Sequence, residues 1–217
     1  YYIATSQGKF IFRCYENRSK KSVLFESELL TYLTECSYPC PTPLENRQGT
    51  TVGTYHDKPF VIFEFLEGEP IEQPNFHHMQ QLVQKAAELQ TLTKGYHSKY
   101  TPYRWNYNRD LCRELAHREA AKLNTKDAYE KFAWLAHTLT TLNLPASIPK
   151  GICHCDFHFS NVLFQEGKFA ALLDFDDANY TFLQFDLIGL MEAWAWPHTA
   201  NQIDITKARV IVQEYIK

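Results

Sequence analysis

The spacing of the apolar residues changes near Gly68, and this change constrains the fold more than any other feature of the sequence. Before Gly68 the apolar residues alternate along two predicted strand pairs, with a predicted helix at 19–36 between them. The strand segments are 2–5 with 10–15, and 51–55 with 59–65. After Gly68 most apolar residues recur at helical intervals. Because a period of two marks strands and a period near 3.6 marks helices, the sequence predicts an α+β fold with a small β-rich lobe at 1–68 and a mostly helical lobe at 69–217.

The second predicted lobe carries one hairpin among its helices. Its helical stretches are 77–94, 110–122, 127–142 and the segment from Phe185 onward, with a break at Pro197. The hairpin consists of residues 162–164 and 169–173 around a polar turn at 165–168. Three acids and an amide flank its apolar strands, which makes this stretch the most informative one for function.

Charge and hydropathy exclude two classes of partner. The chain has 217 residues, with 22 Lys and Arg against 25 Asp and Glu, so its formal net charge is −3. Nucleic-acid-binding domains usually carry a basic excess, and a membrane span needs about 20 successive apolar residues. The sequence therefore predicts no nucleic-acid partner and no membrane partner. It begins at Tyr1 inside a strand pattern, so we expect the natural start of the protein to lie further upstream.

The six cysteines are scattered through periodic segments instead of forming a disulfide framework. This distribution predicts free thiols in a reducing compartment, and therefore a cytoplasmic protein. Cys153, His154 and Cys155 offer an alternative, a zinc site. A single Cys-x-Cys has no second ligand pair at zinc-finger spacing, however, so structural thiols are the preferred interpretation.

Polar residues at the open end of the predicted hairpin indicate a cation site. If Phe164 lies directly opposite Phe169, then Asn161 lies opposite Leu172, and Asp174 projects to the same face one diagonal step away. A carboxylate and an amide oxygen on one face can bind a hard cation such as Mg²⁺. Asp156 lies on the preceding loop, where a carboxylate can accept a proton from a hydroxyl nucleophile. The alternative is a surface hairpin with acidic ends.

These residues form the pattern His154-x-Asp156-x-x-x-x-Asn161, followed by Leu173-Asp174. The pattern resembles the catalytic signature of the aminoglycoside and choline phosphotransferase superfamily, and the resemblance extends over nearly the whole chain. It implies a two-lobed protein-kinase-like fold, ATP and Mg²⁺ as cofactors, and a small hydroxylated molecule as substrate. In that family the roles of these residues are a proton-accepting base at Asp156 and metal ligands at Asn161 and Asp174.

The resemblance also assigns the nucleotide site. Arg13 matches the cation that holds the α- and β-phosphates of ATP, and Glu26 matches its helical ion-pair partner, with Glu28 as the alternative. Residues 61–68 match the hinge between the lobes, where the Glu64 carbonyl and the Leu66 amide would bind the adenine edge.

Two further residues match supports of the catalytic loop in this family, His154 and Asp186. The glycine-rich phosphate loop of the family would precede Tyr1.

A narrower resemblance is to the bacterial ATP-dependent homoserine kinases of this fold. It is carried by the segments 65–68, 189–196, 205–209 and 212–215. The acidic pair Asp176 and Asp177 departs from the aromatic pair that those kinases tend to carry. The resemblance implies phosphorylation of homoserine, and the alternatives are choline, an aminoglycoside, methylthioribose, or a catalytically silent nucleotide-binding module. The sequence does not indicate an oligomeric state.

Overall fold

The computed structural model describes residues 1–106, 108–196 and 202–217. The chain divides into two compact units, one formed by Tyr1–Arg104 with Lys150–Lys217, the other by Trp105–Pro149. The boundary predicted at Gly68 would divide the first of these units and stays a prediction. The predicted break at Pro197 lies outside the described residues.

The first unit begins with a four-stranded antiparallel sheet and one helix. The elements are β1 (Tyr2–Thr5), β2 (Gly8–Cys14), α1 (Lys20–Glu35), β3 (Val52–Tyr55) and β4 (Lys58–Glu64), and the strand order is β1-β2-β4-β3. Both predicted strand pairs are therefore present. Two-residue turns close them, and His56 and Asp57 adopt the positive φ angles that tight hairpin turns require.

Helix α1 buries one charged residue within its apolar face. The Ser19 side chain caps the helix by accepting from the Ser22 N–H. Val23, Glu26 and Leu30 follow one another at helical intervals on the buried side. A carboxylate in such a stripe needs a polar partner, and the Tyr15 hydroxyl supplies one by donating to Glu26 Oε1 at 2.9 Å.

Helix α2 (Phe76–Leu92) starts at a capping box formed by Asn75 and His78. The second unit contains α3 (Arg109–Leu123) and α4 (Lys126–Thr141), joined at Asn124 in the left-handed conformation. All three helices lie within a few residues of their predicted positions. Within the described residues, no helix is long and apolar enough to cross a bilayer.

The remainder of the first unit consists of two strand pairs and two helices. Its elements are β5 (Lys150–Cys153), β6 (Val162–Gln165), β7 (Lys168–Leu172), β8 (Asn179–Phe182), α5 (Gln184–Ala195) and α6 (Ile205–Tyr215). β6 pairs with β7 as predicted, whereas β5 pairs with β8, a pairing that the sequence did not indicate. The observed architecture confirms the α+β prediction.

The register of the β6–β7 hairpin corrects the prediction. Phe164 does lie opposite Phe169, but a bulge at Ala170 then shifts the pairing by one residue. Val162, not Asn161, therefore lies opposite Leu172. Asn161 lies before the strand, where its carbonyl accepts from the Leu173 N–H at 2.7 Å. The bulge thus moves Asn161 one step closer to Asp174 along the hairpin.

Candidate active site

A largely apolar cavity of about 460 Å³ lies between the sheet and the β6–β7 hairpin. Glu64 at the end of β4 and Leu66 two residues later lie along it, as does Arg13 of β2. The other lining residues are Ile11, Glu26, Leu30, Pro41, Phe63, Phe65, Gly68, Asn161, Leu163, Leu173, Asp174 and Phe175. The structure thus brings the predicted hinge, phosphate-binding and metal-binding residues to one cavity.

Gly68 allows the chain to pass close to the hairpin at this cavity. Its φ of 143° lies in a region that favours glycine, and a Cβ atom there would lie 2.9 Å from the Leu163 Cβ. The next residue, Glu69, exchanges two backbone hydrogen bonds of 2.9 Å with Phe164. The chain leaving the sheet is therefore attached to strand β6.

The Arg13 guanidinium lies between two carboxylates. Its Nη2 donates to Asp174 Oδ1 at 2.7 Å, and its Nη1 lies 3.9 Å from Glu26 Oε1. The alternative partner, Glu28, accepts instead from the Ser98 hydroxyl at 2.9 Å. Glu26 is therefore the acidic neighbour of Arg13 on helix α1.

Burial dominates the electrostatics of Glu26. Removal from water raises its pKa to about 7, although Arg13 and Arg104 favour the ionised form. Within the described chain its Oε2 has no hydrogen-bond partner. Asp174 differs, because partial burial raises its pKa but the charge and hydrogen bond of Arg13 lower it further, to below the usual range. Asp174 is therefore an ionised carboxylate at neutral pH.

Two arginines that the sequence analysis missed hold the segment after Asp174. Arg18 contacts Asp176 through Nε at 3.0 Å and Asp177 through Nη2 at 2.7 Å. Asp174 itself has a positive φ of 60°, an uncommon conformation for this residue type. The ion pairs of Arg18 fix the second and third residues after Asp174 and so help to maintain this conformation.

Arg104 is the second of these arginines and is 93% buried, with a relative exposure of 7%. It donates to the carbonyl groups of Phe175, Asp176 and Ala178 and to Ser22 at the start of α1. No sequence motif marks Arg104, because its partners lie more than 70 positions away along the chain. It connects the segment that follows Asp174 with the helix that carries Glu26.

Asn161 and Asp156 contact each other directly. Asn161 Nδ2 donates to Asp156 Oδ2 at 2.6 Å and to the Asp156 carbonyl at 3.0 Å. The amide nitrogen of Asn161 is thereby engaged, which leaves its Oδ1 as the atom able to bind a cation. Asp156 is exposed to solvent, as the predicted acceptor of a proton from a substrate must be.

His154 and Asp186 lie behind this loop in the interior. The carboxylate of Asp186 accepts from the backbone N–H groups of His154 at 3.1 Å and of Cys155 at 2.8 Å. His154 Nε2 donates to the Leu173 carbonyl at 2.9 Å, and its Nδ1 accepts from the Asp156 N–H. Burial lowers the pKa of His154, which favours this neutral imidazole. Both residues contact the chain around Asp156, where their predicted supporting role requires them.

A second cavity of about 680 Å³ opens on the other side of Asp156. Its lining residues are Cys155, Asp156, Phe157, His158, Phe185, Ile188, Gly189, Glu192, Ala193 and Trp196. Trp194, in contrast, packs against Phe159 with ring centroids 6.3 Å apart. Trp196 therefore lines this second cavity, whereas Trp194 packs against an aromatic ring of the interior.

The oxygen atoms at the first cavity fit a hard cation. Ionised Asp174 and the Oδ1 of Asn161 are the donor types that Mg²⁺ prefers. For zinc, the described residues contain no group of three or more His, Cys, Asp or Glu able to hold a metal ion. Both ring nitrogens of His154 already bond to the protein. The described residues therefore offer oxygen donors at the first cavity and no zinc site at residues 153–155.

Comparisons with known proteins agree with this arrangement. The profile of the phosphotransferase enzyme family (APH) matches residues 1–211. A homoserine kinase of Caulobacter sp. (strain K31) is 30% identical over 224 residues, which cover 98% of this chain and 66% of the relative. A homoserine kinase of Bartonella henselae is 28% identical over 222 residues, with coverages of 98% and 66%. The chain thus spans about two thirds of the length of these homoserine kinases.

Two solved kinases share the fold. Amicoumacin kinase hAmiN, solved in complex with AMP-PNP and Ca²⁺, superposes with a TM-score of 0.74 at 18% sequence identity. The match covers 99% of this chain and 67% of the hAmiN chain. A microcompartment-associated aminopropanol kinase has a TM-score of 0.70 at 17% sequence identity, and the match covers 99% of this chain and 71% of the aminopropanol kinase. The predicted two-lobed protein-kinase-like fold is confirmed.

The raised pKa of Glu26 predicts a pH effect on stability. The folded state binds the Glu26 proton more tightly than the unfolded state, whose pKa is 4.5, so this residue destabilises the fold as the pH rises from 4.5 to 7. Glu26→Gln removes this pH-dependent loss of stability, because glutamine has no proton to release. The stability of the variant relative to the parent should rise by roughly 3 kcal/mol between pH 4.5 and 8.

Urea unfolding across this pH range measures the difference. Glu28→Gln, on the same helix but exposed, controls for the loss of one negative charge. A difference between Glu26→Gln and the parent that does not vary with pH would contradict the assignment.

Proposed function

The chain belongs to the phosphotransferase enzyme family, as its sequence motif predicted, and from this premise we propose that it is an ATP-dependent kinase of a small hydroxylated metabolite, homoserine. The single observation that carries the proposal is the 2.6 Å hydrogen bond between Asn161 and Asp156. It joins a residue lining the first cavity to a residue lining the second. A nucleotide in one cavity and an acceptor in the other would therefore meet at this pair.

In this proposal the first cavity binds ATP. The Glu64 carbonyl and the Leu66 amide bind the adenine edge, and the apolar lining contacts the base. Arg13 donates to the α- and β-phosphates, for which a forked guanidinium suits the geometry of phosphate oxygens. Glu26 holds Arg13 from the side of helix α1. Transfer of the Arg13 hydrogen bond from Asp174 to the phosphates would free a carboxylate oxygen for the metal.

Asp174 and Asn161 are the proposed ligands of Mg²⁺. When bound, the ion neutralises the charge that develops on the phosphate oxygens during transfer. The chain supplies an anionic oxygen from Asp174 and a neutral one from Asn161. The three carbonyl contacts of Arg104 and the ion pairs of Arg18 keep Asp174 at this position.

Asp156 is the proposed base. The acceptor oxygen attacks the γ-phosphorus, the bond to the β-phosphate oxygen breaks, and ADP leaves. The hydroxyl proton passes to the Asp156 carboxylate, where Oδ1 remains available because Oδ2 accepts from Asn161. Asn161 thereby orients the base, while His154 and Asp186 hold the backbone on either side of Cys155.

Homoserine is proposed as the acceptor because the similar curated proteins are homoserine kinases. Its ammonium group requires an anion near Asp156. Asp176 and Asp177 are engaged by Arg18, whereas Glu192 lines the second cavity beside Asp156. Glu192 is therefore the preferred partner of the ammonium group, with Trp196 as an adjoining wall.

The role of Asp156 predicts a large loss of turnover in Asp156→Asn. An amide cannot accept the hydroxyl proton, so kcat should fall at least ~10²-fold while the affinity for ATP stays within about twofold of the parent. Steady-state kinetics and calorimetric ATP titration measure the two effects. Asp57→Asn, in the exposed turn between β3 and β4, is the matched control. Near-parental turnover in Asp156→Asn would exclude the base assignment.

The metal assignment predicts that Asp174→Ala loses the Mg²⁺ dependence of ATP binding. The ratio of Kd values measured with EDTA and with Mg²⁺ should fall at least about tenfold, or 1.4 kcal/mol. Asn161→Ala should reduce this ratio less, because an amide oxygen carries no formal charge. Removal of Asp174 also removes an anion, so ATP binding in EDTA should not weaken. An unchanged ratio in Asp174→Ala would mean that the metal binds elsewhere.

The acceptor assignment predicts a higher kcat/KM for L-homoserine than for choline or an aminoglycoside, measured with the natural full-length protein. The comparison should include the methyl ester of homoserine, which keeps the ammonium group and loses the carboxylate charge. A preference of at least about tenfold for choline or the aminoglycoside, equal to 1.4 kcal/mol, would overturn homoserine and leave the kinase proposal in place. Absence of transfer to every acceptor would instead favour a silent nucleotide-binding module.

A further inference from the structure

Gln90 is a polar residue on the buried face of helix α2, with a relative exposure of 8%. Its Nε2 donates to Asp186 Oδ2 at 3.2 Å and to the Leu183 carbonyl at 3.0 Å, and its Oε1 accepts from the Tyr215 hydroxyl. We propose that Gln90 is a positioning residue for phosphoryl transfer, which acts through Asp186 on the loop that carries Asp156. The proposal rests on the proposed kinase function.

Asp186 lies in the interior, where N–H groups are its hydrogen-bond donors. Its carboxylate is 99% buried, with a relative exposure of 1%. Within the described part of the chain, no Lys or Arg forms an ion pair with it. Its oxygens accept from three N–H groups, two of the backbone and one of Gln90. A buried carboxylate without a cationic partner depends on such donors, so each of them contributes to its orientation.

The amide of Gln90 offers both a donor and an acceptor at this position. The side chain donates to Cys153 Sγ of β5 at 3.8 Å and to the start of α5, and it accepts from α6. A glutamate could not donate to Asp186, and a methionine of similar size could neither donate nor accept. Gln90 therefore ties helices α2, α5 and α6 to one carboxylate.

Backbone hydrogen bonds link Asp186 to the residue that carries the reacting carboxylate, Asp156. Cys155 has a φ of 66°, a conformation that non-glycine residues rarely adopt. Asp186 Oδ1 accepts from the Cys155 N–H at 2.8 Å, and the next N–H, of Asp156, donates to His154 Nδ1 at 3.3 Å. These bonds maintain the strained turn from which the Asp156 side chain extends. A rotation of Asp186 would therefore change the direction of Asp156 without touching the nucleotide cavity.

The test compares Gln90→Met with Gln81→Met in the natural full-length protein. Gln81 lies on the same helix and also bonds through both ends of its amide, to the Gly167 carbonyl and the Phe169 N–H. It controls for loss of a helix-to-hairpin hydrogen bond that has no link to Asp186. Two measurements are made on both variants, the exchange rates of the His154 and Cys155 amide hydrogens by NMR, and kcat and KM for Mg·ATP.

We expect Gln90→Met to speed exchange of these two amides at least about tenfold and to lower kcat by about 10- to 100-fold, with KM for ATP within about twofold of the parent. Gln81→Met should leave the exchange rates and kcat close to parental. Unchanged exchange in a folded Gln90→Met overturns the proposal, and so does a parental kcat. If KM for Mg·ATP rises in Gln90→Met and rises equally in Gln81→Met, Gln90 has only a general packing role. That result also overturns the proposal.

Tyr215→Phe keeps the test decisive if Gln90→Met does not fold. It removes one donor to Gln90 and retains the aromatic ring, so kcat should fall by a smaller factor, again at constant KM. If Tyr215→Phe keeps the parental kcat and the parental exchange rates of the His154 and Cys155 amides, the proposed positioning role of Gln90 is overturned. A parent protein that transfers no phosphate to any acceptor refutes the proposed function itself, and that result is visible before any variant is compared.

Discussion

The candidate site depends on one cation placed between two carboxylates from distant parts of the chain. Arg13 of β2 lies between Glu26 of helix α1 and Asp174 after strand β7. Without this guanidinium, a buried acid and an exposed acid would line the same cavity with no cation between them. The pairing therefore determines how closely the sheet, the helix and the hairpin can approach, and the cavity for a nucleotide forms where they meet.

The remaining polar contacts of the first unit extend this arrangement in two directions. Arg104 and Arg18 fix the turn after Asp174, and Asp186 with its N–H donors fixes the loop before Asp156. The two fixed segments are joined at Leu173, whose N–H donates to the Asn161 carbonyl and whose carbonyl accepts from His154 Nε2. Each side of the site thus has its own buried support, and the hydrogen bond between Asn161 and Asp156 lies beside this junction.

Much of this organisation could be predicted from the sequence, because periodicity and turn chemistry are local. Both strand pairs of the sheet, helix α1 and the Phe164–Phe169 pair followed from residues close together in the chain, whereas Glu26 was singled out by the family resemblance alone. The bulge at Ala170 did not, since one extra residue leaves the alternation of a short strand almost unchanged. Asn161 and Asp174 nevertheless line one cavity, although the predicted register was wrong by one residue.

What the sequence could not provide were the supports whose partners lie far away. Arg18, Arg104 and Gln90 each bond to groups more than 70 positions distant, and no local pattern encodes such pairs. Gln90 left one signal, since it occupies a buried position four residues after Ala86 on the apolar face of α2. A polar side chain at such a position requires a buried partner.

Gly68 limits where the first unit can bend. Its close approach to Leu163 and the paired hydrogen bonds between Glu69 and Phe164 attach residues 68–69 to strand β6. Before Gly68, the Phe65 N–H donates to the carbonyl of Lys9 in β2, and this hydrogen bond attaches Phe65 to the sheet. Only Leu66 and Glu67 lie between the two attachments. Any pivot between sheet and hairpin therefore falls at these two residues, so that the segment proposed to hold adenine is also the axis about which the cavity would open.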